Sequence, residues 1–194
     1  MKDRKIRKLL KRVLPIETER LLIRFVDIDD AYDMYEYASR PEVSKYLLWS
    51  PHLNLSATEG YIESLIRRNL KGLYCDWAIE LKETEKMIGT CGYAMIDVSS
   101  DIYEIGYVLS PDYQGKGYMT EALNAMLKLN FETLELPSAK LRIINENEPS
   151  KRLAERVGFS LERIGYSEME IKDVLCDIAH YSMSKEYYDE NIKK

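Results

Sequence analysis

The sequence predicts a single mixed α/β (α+β) domain, a mostly antiparallel sheet of seven strands with helices on both faces. Three observations carry that prediction. The elements read in order as strand, helix, helix, three strands, helix, strand, helix and two strands, an order that suits a mixed sheet covered on both sides. The three successive strand patterns lie between residues 75 and 109 and make an antiparallel meander. Within them, Ile102 to Leu109 is apolar on both faces apart from Glu104 and Gly106, as a central strand with cover on each side must be.

Taken in order, Met1 to Leu14 reads as a basic amphipathic helix with Ile6, Leu9, Leu10 and Val13 on one stripe, stopped by Pro15. It reads as a segment apart from the domain proper, residues 15–194. Docking of the stripe on the body or on a second subunit is the favoured reading; contact with ribosomal RNA or an anionic membrane is the alternative. Thr18 to Arg24 is the first strand, and Asp27 or Asp29 caps a helix through Tyr37 whose Tyr32 and Tyr35 face the core. Pro41 to Leu48 forms a short helix, and Ser56-Ala57-Thr58-Glu59 is a capping box opening a helix to about Leu70. Cys75–Leu81 and Met87–Asp97 form a hairpin around the polar turn Lys82–Lys86. After the central strand, Gly117–Leu134 is helical, with Leu123, Met126, Leu127 and Asn130 on one stripe, and Pro137 ends it. Leu141–Ile144 is a strand. The next helix opens at Asn147-Glu148-Pro149-Ser150 and closes on Gly158 as its C′ glycine. Phe159–Arg163 and Val174–Ser184 complete the sheet.

Composition narrows the function. A chain of 194 residues, 45% of them apolar, suffices for one core. No apolar run is long enough to span a membrane and no signal-peptide core is present, so no membrane role is expected. Three widely spaced cysteines, Cys75, Cys91 and Cys176, suggest reduced thiols in a cytoplasm. Two histidines and no C-x-x-C motif give a metal site little support. Residues 1–14 hold seven Lys/Arg against one Asp, so they carry +6 of a formal net charge of −5 and the remainder carries −11. An acidic body disfavours specific nucleic-acid binding and suits a basic acceptor.

The chemistry-bearing stretch follows the central strand. Ser110-Pro111-Asp112 stops the strand, Gln114-Gly115-Lys116-Gly117 follows, and a helix begins at once. A glycine turn opening a helix gathers free backbone N–H groups and the positive end of the macrodipole, which suits a phosphate. This is not a Walker A loop, which needs G-x-x-x-x-G-K-[ST]. As a dinucleotide fingerprint it also fails, since Glu135, the acidic residue at the required offset, falls at a helix end.

Gln114-x-x-Gly117-x-Met119 resembles the Q/R-x-x-G-x-G/A signature of the GNAT acetyltransferases, with Met119 where that family usually has Gly or Ala. The phrase E-I-G-Y-V-L-S-P-D-Y-Q-G-K-G-Y-M-T-E-A is similar to the branch that acetylates N-termini of ribosomal proteins, and the resemblance runs from about Thr18 to about Tyr187. It implies the GNAT-like acyl-CoA fold, in which the strands at Ile102–Leu109 and Leu141–Ile144 are parallel neighbours that splay around the thioester arm. It also implies acetyl-CoA as cosubstrate without a metal, and a primary amine as acceptor, a ribosomal-protein N-terminus or a small amine. Backbone groups of Val108 and Leu109 would meet the pantetheine arm. Gln114, Gly115, Lys116, Gly117, Tyr118, Met119 and Thr120 would cradle the pyrophosphate, and Asn147 would hydrogen-bond the arm.

Acetyl transfer by direct attack needs an amine stripped of its proton, a leaving thiolate, and both reactants held together, which alone supplies roughly 7–11 kcal/mol at best. Glu104 is the candidate general base, a lone carboxylate on an apolar strand that shares a face with Gly106 and Val108. The alternative is a buried Glu paired with an Arg for structure. Ala154 stands where many relatives carry a tyrosine acid, so Ser150 becomes the candidate proton donor by likeness to the ribosomal-protein branch. Glu168 and Glu170 lie near where that branch places a second carboxylate. The chain is expected to be a monomer or homodimer. A non-catalytic acyl-CoA-binding or ribosome-associated module stays open as the second function class.

Overall fold

The computed structural model describes residues 2–71 and 76–193. Cys75 lies outside them. One sheet runs in the order β1-β2-β3-β4-β5-β6-β8-β7. Its strands are β1 (Ile16–Glu17), β2 (Leu21–Arg24), β3 (Asp76–Leu81), β4 (Lys86–Asp97), β5 (Ile102–Leu109), β6 (Ser138–Ile144), β7 (Ser160–Ile171) and β8 (Val174–Ser184). That is eight strands where the sequence predicts seven. The difference is Ile16–Glu17, a strand added ahead of the expected one, which begins at Leu21 rather than Thr18 because Thr18 turns the chain between the two. Its hydroxyl accepts from Leu21 N at 3.0 Å and its own amide donates to Leu21 O at 3.0 Å. Ile16 then pairs with Ile23 and Glu17 with Leu22.

Helices cover both faces. On one side lie α1 (Lys2–Leu10), α5 (Tyr118–Lys128), α6 (Glu148–Arg156) and α7 (Lys185–Asn191), around a core that takes in Trp77, Tyr93, Tyr103, Leu123 and Tyr181. On the other lie α2 (Ala31–Ala38) and α4 (Leu55–Lys71), over Val26, Ala78 and Met87, with the short α3 (Pro41–Ser44) at their edge. Leu123, Met126 and Leu127 of α5 are fully buried, each worth about 1.5–3 kcal/mol relative to exposure. Ile6 and Leu10 of α1 are buried in the same core. No helix among the described residues is long and apolar enough to cross a membrane.

Local departures have local causes. The helix after Gly117 becomes a π turn at Leu129–Thr133, and the wider turn holds the fully buried Asn130 amide. That amide accepts from Tyr93 OH at 3.0 Å and donates to Ser138 O at 3.0 Å, as a buried polar group must. In α2 the core positions belong to Met34 and Tyr37, while Tyr32 is exposed. Asn54, not Ser56, caps α4, accepting from Ala57 N at 2.9 Å. β7 continues to Ile171 because bulges absorb its broken alternation.

Two features position the site. β5 and β6 are the parallel neighbours, and their ladder has one register pair, Glu104 opposite Lys140. Beyond it the strands separate. On the far side of β5, the β4 ladder slips at that same level: Tyr93 faces Ile105, Met95 faces Glu104, and Ala94 is extra. A bulge bends its strand and sharpens the local twist, so it turns β5 away from β6 where the pairing stops.

Candidate active site

β5 leads directly into the glycine loop. Ser110 N donates to Ile88 O at 2.8 Å, Pro111–Tyr113 forms a 3-10 turn, and Gln114 Nε2 returns to Leu109 O at 3.3 Å. Gly115 and Gly117 sit at φ +75° and +81°, the left-handed region that glycine reaches without steric cost. Gly117 gives α5 no side-chain cap. The amides of Tyr118, Met119 and Thr120 therefore have no intrahelical acceptor and stand at the positive end of the helix.

A clasp from the β1–β2 turn sets this loop. Glu121 Oε1 accepts from Thr18 Oγ1 at 2.6 Å and Arg20 N at 2.8 Å, and its Oε2 accepts from Arg20 Nε at 2.7 Å. Arg20 then donates to Lys116 O at 3.0 Å and stacks 4.6 Å over the Tyr118 ring. A Cβ on Gly117 would stand 3.4 Å from Arg20 Nη2, which puts the guanidinium beside the loop as a fixed positive charge. In the sequence Arg20 stands out only as a member of a strand pattern. Lys116, expected to supply charge, turns back instead: its ammonium donates to Asp112 O at 3.1 Å and sits 5.2 Å from the Tyr113 ring centroid. Arg40 holds Asp112 through two hydrogen bonds, at 2.9 and 2.7 Å.

From this loop a groove of 1630 Å³ runs to the gap between β5 and β6. Gln114, Gly115, Gly117, Tyr118, Met119 and Thr120 line one end, Val108 and Leu109 the middle, and Tyr107, Asn147 and Ser150 the far end, across from Val43, Tyr46 and Leu47. A side chain at Gly89 would overlap the Val108 carbonyl. With glycine there, β4 keeps one edge of β5 paired through Leu109. The other edge faces the groove.

Comparison with known proteins agrees with this geometry. Residues 20–160 match the family model of the acetyltransferase (GNAT) domain. The chain is 33% identical over 171 residues to the uncharacterized N-acetyltransferase p20 of Bacillus licheniformis, covering 88% of this chain and 96% of that one. The chain belongs to the GNAT acetyltransferase family. It is an N-acetyltransferase. The crystal structure of a GNAT-family acetyltransferase from Bacillus anthracis superposes with a TM-score of 0.78 at 26% identity, over 88% of this chain and 98% of that one. The microcin C7 self-immunity acetyltransferase MccE, solved in complex with acetyl-CoA and AMP, shares the fold with a TM-score of 0.76 at 24% identity over 86% of this chain and 93% of that one.

At the far end of this acetyltransferase's groove, Ser150 stands in the first turn of α6. Asn147, expected to hydrogen-bond the arm, caps that helix, its Oδ1 accepting from Ser150 N at 3.3 Å. Ser150 Oγ lies 2.6 Å from the hydroxyl of Tyr107, reaching across from β5. Burial pushes the Tyr107 phenol up to about 12, against the Ser150 hydrogen bond, which pulls it down. Tyr107 lies inside the quoted phrase E-I-G-Y-V-L, yet nothing in sequence pairs it with a residue 43 positions on.

Glu104 does not line the groove, and on β5 it shares a face with Val108 rather than with Tyr107. It is buried, and its Oε2 accepts from Arg142 Nε at 2.6 Å, so the arginine partner anticipated by the structural alternative is present. Further across the same face, Arg163 Nη1 donates to Glu168 Oε2 at 2.6 Å, and His180 Nε2 stands 2.8 Å from Glu168 Oε1 without hydrogen-bond alignment. The Arg163 hydrogen bond holds the Glu168 carboxyl below its ordinary value.

Proposed function

We propose that this acetyltransferase moves the acetyl group of acetyl-CoA to a primary amine by direct attack. The observation that carries the reading is the continuous groove, which joins a left-handed glycine loop at a helix start to a strand edge left unpaired by the β5–β6 separation. The fit to a phosphate-bearing ligand rests on the loop itself: three first-turn amides without intrahelical acceptors, and no Cβ at Gly117. Acetyl-CoA supplies a thioester carbonyl open to amine attack. The amides of Tyr118, Met119 and Thr120 would hold the pyrophosphate, with Arg20 adding charge, and the backbone of Val108 and Leu109 would align the arm as an added strand does.

Two groups would then serve the proton transfers. Glu104, on the acceptor side, would take the ammonium proton through one water. Ser150 would donate toward the leaving sulfur. For Ser150 to present its proton to the groove, its oxygen must accept from Tyr107, which acts as a positioning residue. Acceptors of the reading include a ribosomal-protein N-terminus and small amines. The test is free-thiol release from acetyl-CoA with an amine panel. Turnover is expected with at least one primary amine, and a folded protein that binds CoA but releases no thiol with any of them overturns the proposal.

A further inference from the structure

The charges on the acceptor side are not arranged for a polycation. Glu104 is one of the carboxylates on this face of the sheet, and Arg142 Nε already holds it at 2.6 Å. A second, Glu168, is held by Arg163 at 2.6 Å, and a third, Asp76, on β3 at the level of Gly106, accepts from Tyr61 OH at 3.4 Å. The cations are less completely used. Arg142 gives only its Nε to Glu104, so among the described residues its two terminal nitrogens have no partner. Its side chain keeps 32% of its surface exposed, against 10% for Glu104. Lys140, directly opposite Glu104 in the ladder, makes no ion pair among the described residues. Arg142 and Lys140 are thus cations with donors to spare, beside carboxylates that already have partners.

Its place matters as much as its sign. Glu104–Lys140 is the one β5–β6 pair, and the strands part immediately beyond it. Arg142 is two residues further along β6, so it lies at the mouth of that gap and on the same face as Glu104, which it touches. An acceptor whose amine approaches Glu104 brings its neighbouring groups over Arg142. The open fork of a guanidinium matches a carboxylate in two parallel hydrogen bonds.

We infer that the acceptor is an amine bearing a carboxylate close to it, and that Arg142 is the residue that reads the carboxylate. The inference rests on the amine-acetylation reading and deepens it. A free α-amino acid and a peptide N-terminus followed by an acidic residue both present this chemistry. A polyamine presents its opposite.

The experiment uses matched acceptors: alanine against alaninamide, and a peptide beginning Ser-Asp against one beginning Ser-Asn, with spermidine as the polycation. Thiol release gives kcat/KM for each, and calorimetry of the CoA-saturated protein gives binding apart from turnover. Within at least one pair the carboxylate is expected to win by at least tenfold, and which pair shows it identifies the source. In Arg142→Gln the ratio should collapse toward one, whatever the absolute rates. Arg142→Lys, which keeps the charge but loses the fork, should keep only part of it. Preferential binding without any thiol release overturns the transferase reading and leaves this inference standing. Turnover with no carboxylate preference, a ratio unchanged in Arg142→Gln, spermidine as the best acceptor, or binding of no acceptor overturns the inference.

Discussion

Replacing Tyr107 by Phe removes one oxygen and little else, which makes it the sharpest test of how the leaving thiolate is handled. That oxygen lies 2.6 Å from Ser150 Oγ. As a neutral intramolecular hydrogen bond its loss should cost about 1 kcal/mol of stability, too little to unfold the protein. The rate effect should be larger than a packing change gives and smaller than loss of the donor. If Ser150 as direct proton donor is worth roughly 10²–10⁴-fold, a residue that only fixes the direction of its proton should account for about tenfold, or ~1.4 kcal/mol. KM for acetyl-CoA should stay near the parent value, because the loop contacts lie elsewhere on the groove. With its phenol pushed up to about 12, Tyr107 stays protonated across the working range, so its removal should not shift the pH–rate profile.

The discriminating assay varies the leaving group. An acetyl thioester of a more acidic thiol needs less help to depart, so the Tyr107→Phe and Ser150→Ala defects should both shrink with it. Tyr107 acts through Ser150, so the double variant should be no slower than Ser150→Ala alone; residues in direct contact are where additivity fails. A Tyr107→Phe defect that is equal for both thioesters, or that adds fully to Ser150→Ala, would refute the relay and leave Tyr107 a packing residue.

Four further outcomes are expected. Gly117→Val puts a branched side chain at φ +81° beside Arg20, and CoA affinity by calorimetry should fall at least tenfold, about 1.4 kcal/mol. Glu104→Gln should lower kcat roughly 10²–10⁴-fold with CoA binding intact; normal turnover with earlier melting would make Glu104 only the partner of Arg142. Burial pushes the Glu121 carboxyl up, but hydrogen bonds from Thr18 and Arg20 outweigh it and hold the group below its ordinary value, so the clasp stabilises fully above the unfolded-state pKa of about 4.3 and is lost as pH falls through the lower folded-state value. Glu121→Gln should therefore melt earlier at neutral pH and lose that acid-side decline, as a melting series over pH will read. Deleting Ala94 restores a regular β4–β5 ladder without flipping either side, since Tyr93 and Met95 already face successive residues of β5; the protein should fold, and CoA affinity should drop as the gap narrows.

What could be read from the sequence was what neighbouring residues determine among themselves. The strand Ile102–Leu109, its stop at Pro111 and the helix after Gly117 all stand as expected, because an apolar run, a proline and two glycines act within a few residues of one another. The same holds for α6, where Asn147 caps, Pro149 sits in the first turn and Gly158 closes at φ +97°. Misreadings came where a single side chain redirected the backbone. Thr18 turns the chain so that Ile16–Glu17 pairs as a strand of its own ahead of the expected one, and the buried Asn130 accompanies a widened helical turn. A hydrophobic stripe records which positions are apolar, not what a buried amide must reach.

The groove's glycine-loop end is therefore local and legible, while the end at Tyr107 and Ser150 is not. Tyr107 and Ser150 lie on different elements and meet at 2.6 Å only after α6 has folded back over the sheet. Glu104 and Arg142 meet across the β5–β6 pair, and Arg20 reaches the loop from a turn almost a hundred residues earlier in the chain. The gap between these groups depends on competition between ladders. β6 is paired continuously with β8 from Ser138 to Ile144, and β5 follows β4 from Ile102 to Leu109. Each strand keeps its antiparallel partner, and the extra residue Ala94 twists one ladder away from the other where the parallel pairing stops. An alanine in a strand pattern gives no sign of a bulge. The feature that opens the gap between β5 and β6 is thus carried by a residue without chemistry of its own, visible only once both of its neighbours' partners are known.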